Sequence, residues 1–231
     1  MLRYVLIYKE KQMSLHDDIR KMREEFMEQV PDEVVQTMKA ATQRLIDSGI
    51  EKRCLKTGER LPSFSLPNAR GKMISSDTLL SKGPLVINFY RGGWCPYCNL
   101  ELRAFQDAAS EINAQGAQLV AISPNLPDNS LSSIEKHSLS FEVLSDIGNR
   151  YSRKLGLVYT LDEQLQALYR GFDVDIPAFN GDETHEIPIP ATYVVNSEGI
   201  VELAFVDADY TKRLEPEKVI KCLKNMSEKD A

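Results

Sequence analysis

The chain has 231 residues, 42% of them hydrophobic and 27% charged, with a net charge of −6. That balance fits a soluble globular protein of one ordinary domain plus an extension, or two small domains. It excludes the basic face of a nucleic-acid binder, and no run approaches the roughly 20 apolar residues that a membrane span needs. At the start, Leu2–Tyr8 is apolar but short and is followed by Lys9, Glu10 and Lys11, without the longer apolar region and cleavage site of a signal peptide. Met13 offers an alternative start, so residues 1–12 are expected to be dispensable.

Residues 14–53 predict two amphipathic helices. Ser14 suits an N-cap, Asp17 and Asp18 fall in the first turn, and Ile19, Met22, Phe26 and Val30 form one stripe. Pro31-Asp32 interrupts the run. Val34, Val35, Met38, Leu45 and Ile46 resume it, and Gly49 ends it. Stripes at this spacing usually pack on a core, here the main domain or a second subunit, and do no chemistry.

Further along, Leu61–Leu66 alternates like a short strand and Asn68–Lys72 supplies a turn. Pro84–Tyr90 and Gln118–Ser123 read as buried strands. Between them, Asn99–Gln115 reads as a helix with Leu102, Phe105, Ala109 and Ile112 on one face. Residues 129–138 predict a helix, Phe141–Leu144 a strand and Asn149–Leu155 a helix. Residues 156–190 are irregular, and so long a connection is either a functional insertion or a packed excursion. Ala191–Asn196 and Ile200–Val206 predict strands joined by a hairpin at Ser197-Glu198-Gly199, and Glu215-Pro216 opens a last helix. The order predicts an α/β fold: a mixed central sheet, parallel at first and antiparallel at the hairpin, with helices on both faces. The domain is expected to span residues 57–228 behind a helical extension, 1–56.

Two of the four cysteines stand close together, in Arg91-Gly92-Gly93-Trp94-Cys95-Pro96-Tyr97-Cys98. The pair falls between a predicted strand and a predicted helix. A helix start offers unpaired amides and a positive dipole end, which stabilise a thiolate and make it nucleophilic. Pro96 suits the first helical position, and Gly92-Gly93 allows a tight turn before it. Arg91 and Arg103 are candidate sources of further positive charge. One C-x-x-C with histidines scattered at 16, 137 and 185 lacks the four ligands of a structural zinc site. The pair therefore reads as redox chemistry, with no metal or other cofactor called for. Without an export signal, the expected compartment is the reducing cytoplasm. Cys54 and Cys222 read as structural or incidental.

Strand, Trp94-Cys95-Pro96-Tyr97-Cys98, helix and the late Pro190-Ala191-Thr192-Tyr193-Val194-Val195 strand resemble the thioredoxin fold. Within it they resemble peroxiredoxins of the alkyl hydroperoxide reductase/thiol-specific antioxidant family, over roughly residues 58–207. In the pattern F-Y-P-x-x-x-T-x-x-C-x-x-E, Phe89 and Tyr90 match. Arg91 stands for the proline, Cys95 for the threonine, Cys98 falls on the peroxide-attacking cysteine and Glu101 on the glutamate. Many members carry an arginine where this chain has Pro190. The thioredoxin likeness implies a cis bond before Pro190, with Thr192 after it facing the disulfide, and would make Cys95 the first nucleophile.

The resemblance implies a thiol peroxidase in which Cys98 attacks peroxide and Cys95 closes a Cys95–Cys98 disulfide. Glu101, Trp94, Tyr97, Pro190, Thr192 and Arg91 would support the site. A thioredoxin-like or glutathione-like reductant and a homodimer are implied as partners. A thiol–disulfide oxidoreductase is the alternative, and an interaction module without catalysis is a third reading.

Overall fold

Residues 14–229 are described in the computed structural model, so the expectation for residues 1–12 lies outside the described residues. The extension forms α1 (Leu15–Gln29) and α2 (Asp32–Asp47). The Ser14 hydroxyl accepts from the Asp17 amide, and Gly49 takes the left-handed φ of +66° that ends the helical run. The pair packs on the main domain. Leu15 and Ile19 bury beside the cysteines, and Ala41 packs beside Leu165 and Tyr169.

A hairpin of β1 (Ser65–Pro67) and β2 (Met73–Ser75) and the short α3 (Ser76–Leu80) follow. The strand expected over 61–66 begins only at Ser65. Leu61 and Phe64 do bury in the core, but Pro62 has no amide to give a ladder. Next come β3 (Leu85–Phe89), α4 (Pro96–Ala114), β4 (Gln118–Ser123), α5 (Pro127–His137), β5 (Glu142–Ser145) and α6 (Arg150–Lys154). The segment read as irregular holds β6 (Val158–Thr160), α7 (Glu163–Gly171), α8 (Ile176–Asn180) and β7 (Glu186–Pro188), with β6 paired antiparallel to β7. The chain ends in β8 (Ala191–Val195), β9 (Val201–Val206) and α9 (Pro216–Lys229).

The central sheet runs β5-β4-β3-β8-β9. β3, β4 and β5 are parallel, while β8 is antiparallel to both β3 and β9. Side chains of β3 alternate between two cores. Val86 meets Phe105, Ile112, Val219 and Leu223 under α4 and α9. Leu85, Ile87 and Phe89 meet Tyr151, Leu155, Tyr193 and Ile50 on the other face. Each such side chain, fully buried, contributes about 1.5–3 kcal/mol.

No described peptide bond is cis, so the bond before Pro190 is trans, against the expectation. Trans is the lower-energy form of an X-Pro bond, and the Ile189 amide beside it is already satisfied by the Leu157 carbonyl at 2.8 Å.

The joint between extension and domain is tight at Gly156. Its φ is +76°, and a Cβ there would lie 2.5 Å from the Arg53 carbonyl oxygen. Gly156→Ala is expected to lower stability by about 2–4 kcal/mol, read from chemical denaturation, through backbone strain plus a clash that only main-chain movement relieves.

Candidate active site

β3 delivers the chain to the site. The Tyr90 amide still bonds to Ile122 on the neighbouring strand, at 3.0 Å. Gly92 then turns with φ +146°, where a Cβ would sit 2.4 Å from the Trp94 indole nitrogen. Asn125 accepts from the Gly93 amide at 2.9 Å, and Asn99 donates to the Gly93 carbonyl at 2.9 Å. Cys95 is the N-cap of α4, Pro96 opens the helix and Cys98 lies in its first turn. The helix thus starts three residues before the expected Asn99 and takes Cys98 into its positive end.

Both sulfurs are reduced and buried, Cys95 at 1% and Cys98 at 0% exposure. Each faces its own arginine. Arg91 Nη1 is 3.9 Å from Cys95 Sγ, and Arg213 Nη2 is 3.4 Å from Cys98 Sγ. Arg213 comes from the β9–α9 connection, and its Nε lies 2.8 Å from Glu101 Oε2 with both side chains at 1% exposure. That contact lacks the alignment of a hydrogen bond, so the pair is held by charge.

Arg91 is 2% exposed and donates to the Tyr169 hydroxyl. Its guanidinium lies 4.8 Å from the Trp94 ring centre and 4.4 Å from that of Tyr210. Two guanidiniums, one carboxylate and one thiolate sum to zero charge. The buried cluster is therefore balanced when the cysteine pair carries one proton between two sulfurs.

The charge settles unevenly. Burial opposes ionisation of Cys95, but a hydrogen bond from Cys98 and the charges of Arg91 and Arg213 outweigh it and bring its pKa down to about 6. Burial, together with the hydrogen bond to Cys95 and the charge there, pushes Cys98 well above the ordinary thiol value. Burial also lifts Glu101 to about 7 against the pull of Arg213. The surrounding charges therefore favour ionisation of Cys95 over Cys98.

Of the expected site residues, the fold gathers Cys95, Cys98, Glu101, Arg91, Trp94 and Tyr97. Tyr97 is 7% exposed and packs edge-on against Tyr210, with ring centres 5.6 Å apart. Pro190 is buried just ahead of the Ala191–Phe89 pairing, at the same end of the sheet. Thr192 lies deeper and accepts from Asn88 at 3.4 Å. Arg103 is exposed and stands with Asp107 and Glu217 around a separate surface pocket. Cys54 is buried, donates to the Ile50 and Gly156 carbonyls and is raised to about 11 by burial, which fits a structural thiol. Cys222 sits half-buried on α9 against the core.

Sequence reasoning missed Arg213, Tyr169 and Tyr210. One signal could have found the first: Glu101 falls beside Leu102 and Phe105 on the apolar side of its helix, and a carboxylate there needs a cation.

α1, α2 and the β6–β7 excursion cover the cysteines. Outside Tyr97 and Tyr210 lies a pocket of about 320 Å³ between α1 and α2, walled by Phe26, Val35 and Met38 and edged by Arg23 and Lys39. A second cavity, of about 20 Å³, lies between α2 and the excursion, lined by Met38, Ala41, Arg91, Tyr159, Tyr169 and Tyr210.

Comparison with known proteins bears on the family and the fold. The model of the AhpC/TSA family matches residues 57–204. A "Peroxiredoxin Q, chloroplastic" of Populus jackii is 29% identical over 163 residues, covering 71% of this chain but only 63% of that protein's length. One from Sedum lineare is 27% identical over 163 residues, covering 71% of this chain and 73% of the relative. Among solved structures, peroxidoxin BcpB from Mycobacterium tuberculosis superposes with a TM-score of 0.59 at 22% identity, over 74% of this chain and 98% of that one. At that identity the likeness is one of fold, the thioredoxin-like fold of the peroxiredoxins.

Proposed function

The chain belongs to the AhpC/TSA family, and on that footing we propose that it is a thiol-dependent peroxidase, reducing hydrogen peroxide or organic hydroperoxides through Cys95 and Cys98. The observation that carries this reading is the Arg213 guanidinium, held by Glu101 and 3.4 Å from Cys98 Sγ. A fixed cation beside the sulfur binds a peroxide oxygen and stabilises the charge that builds on the leaving oxygen. It occupies the role left open by Pro190.

In the proposed cycle the shared proton moves from Cys98 to Cys95. The Cys98 thiolate, the stronger nucleophile once deprotonated because its pKa is the higher, attacks the terminal peroxide oxygen. The O–O bond breaks, the leaving oxygen takes the proton from Cys95, and Cys98 becomes a sulfenic acid. The Cys95 thiolate then attacks the Cys98 sulfur. The S–O bond breaks, hydroxide leaves and is protonated by solvent, and a Cys95–Cys98 disulfide remains. Two electrons from a dithiol of thioredoxin type, or from two glutathione-like thiols, restore the pair. A reducing compartment such as the cytoplasm suits a resting state of two thiols. A homodimer is part of the same proposal, and its mass by analytical ultracentrifugation checks it.

The reduced protein treated with one equivalent of hydrogen peroxide is expected to lose two thiols per peroxide consumed and to yield a peptide joined through Cys95 and Cys98. A second reading rests on Cys95 itself, an N-cap cysteine with a lowered pKa, as a thiol–disulfide exchanger would carry. Untouched peroxide together with rapid exchange on small disulfides would select that reading instead.

A further inference from the structure

We propose that Tyr169, brought to the site by the 156–190 excursion, is a positioning residue that aims the Arg91 guanidinium at Cys95 and so sets how the thiol pair holds its charge. This rests on the pair being the reacting thiols.

Arg91 is buried in a box of rings. Trp94 and Tyr210 lie 4.8 and 4.4 Å from its guanidinium carbon, and the Tyr169 ring lies 5.5 Å away. Ring faces attract a cation but do not fix its rotation in its own plane. Direction comes from hydrogen bonds, and Arg91 has few. Its Nε has no partner among the described residues, and its Nη1 approach to Cys95 is a loose 3.9 Å. Its one hydrogen bond to an oxygen runs from Nη2 to the Tyr169 hydroxyl. Anchoring one end of a rigid fork points the other end at the sulfur.

Tyr169 is itself well held. It is 6% exposed, and the Val174 amide donates to its carbonyl at 2.9 Å. Its helix is N-capped by Asp162, which accepts from Leu165 and pairs with Arg44 of α2 at 2.6 Å. The extension and the excursion thus brace each other, and through Tyr169 they brace Arg91.

The groups around Cys95 bound what a titration can report. Cys98 and Tyr97 face it from α4, Arg91 from the turn, Arg213 and Tyr210 from the β9–α9 connection, Tyr159 from β6 and Tyr169 from α7. Glu101 adds its charge through Arg213 and Cys98. The tyrosines are all shifted upward, with burial the largest cause, and stay neutral through the range where the thiols titrate.

Tyr169→Phe removes one oxygen and keeps the ring. The midpoint of the low-pH thiol titration, followed by thiolate ultraviolet absorbance and by alkylation rate, is expected to rise by about one pH unit. Below pH 6 that slows alkylation about five- to tenfold, with the native rate regained at high pH. Arg91→Met should raise the midpoint at least as far, and Tyr169→Phe should add nothing in that background, since Tyr169 acts through Arg91. An unchanged or lowered midpoint in Tyr169→Phe overturns the proposal, as does a full second shift in the double variant. The readout needs no peroxide. A native protein that titrates as described but ignores peroxide would sink the peroxidase reading and leave this one standing.

Discussion

Cys98→Ser is expected to slow reaction with peroxide by at least about a thousandfold, whereas Cys95→Ser should still be oxidised once and accumulate a sulfenic acid on Cys98. The asymmetry follows from what each sulfur faces. Cys98 lies against Arg213, which Glu101 holds in place, and Cys95 lies against Arg91 in its aromatic box. In Cys95→Ser, two guanidiniums and one carboxylate leave an excess positive charge that favours ionisation of Cys98. Losing the Cys95 sulfur as proton acceptor should slow the first oxidation about tenfold, and with no resolving thiol the cycle stops there. In Cys98→Ser, the Cys95 thiolate remains and should alkylate readily at neutral pH, yet peroxide meets no guanidinium aimed at its leaving oxygen. Dimedone trapping with peptide mass spectrometry reads both variants. Sulfenate formed on Cys95 in Cys98→Ser at the native rate would reverse the roles of the two sulfurs.

The strand–turn–helix that carries this pair was legible because its signals are local. The apolar run ending at Phe89, Gly92-Gly93 and Pro96 each act within a few residues, and the structure places β3, the turn and α4 there. The same holds for the Ser14 cap, the break at Pro31 and the hairpin at 197–199. What closes the site is not local. Arg213 stands in Thr211-Lys212-Arg213-Leu214-Glu215, a charged connection that reads as surface, yet it is 2% exposed. It is buried because Glu101, far away in sequence, needs a cation. His16 and Glu215 add to this: the Leu15 and His16 amides donate to the Glu215 carboxylate, and the His16 ring bonds the Arg213 carbonyl at 2.9 Å. The start of α1 thus pins the loop that presents Arg213. Tyr169 was equally hidden, because nothing local in the excursion says that its buried face meets Arg91. Its own helix, α7, has nine residues with Leu165 and Tyr169 buried four apart, but the elements around it are short, five residues in α8 and three each in β6 and β7. The trans bond at Pro190 shows the limit of likeness. The motif matched, but the bond keeps the trans form that X-Pro bonds ordinarily prefer.

Arg213→Met should cut the second-order rate with peroxide by about 100- to 1000-fold, the usual cost of one preorganised donor at a developing oxyanion. It should also destabilise the protein, because Glu101 stays buried without its cation. Breaking such a pair from one side costs about 3–5 kcal/mol, less whatever Glu101 recovers by taking up a proton. Glu101→Gln separates the two effects. In the native protein burial raises the Glu101 pKa to about 7 from the ordinary carboxyl value of about 4.5. The folded state therefore binds more protons than the unfolded state between those values, and this group's contribution to stability falls as pH rises from about 4.5 to about 7. Glu101→Gln should flatten that fall, which amounts to about 3 kcal/mol at most. Combined with Arg213→Met it should restore much of the stability while leaving peroxide reactivity low. A double variant that recovers both would mean Arg213 serves only to neutralise Glu101, and the peroxide-binding role would have to pass to Arg91.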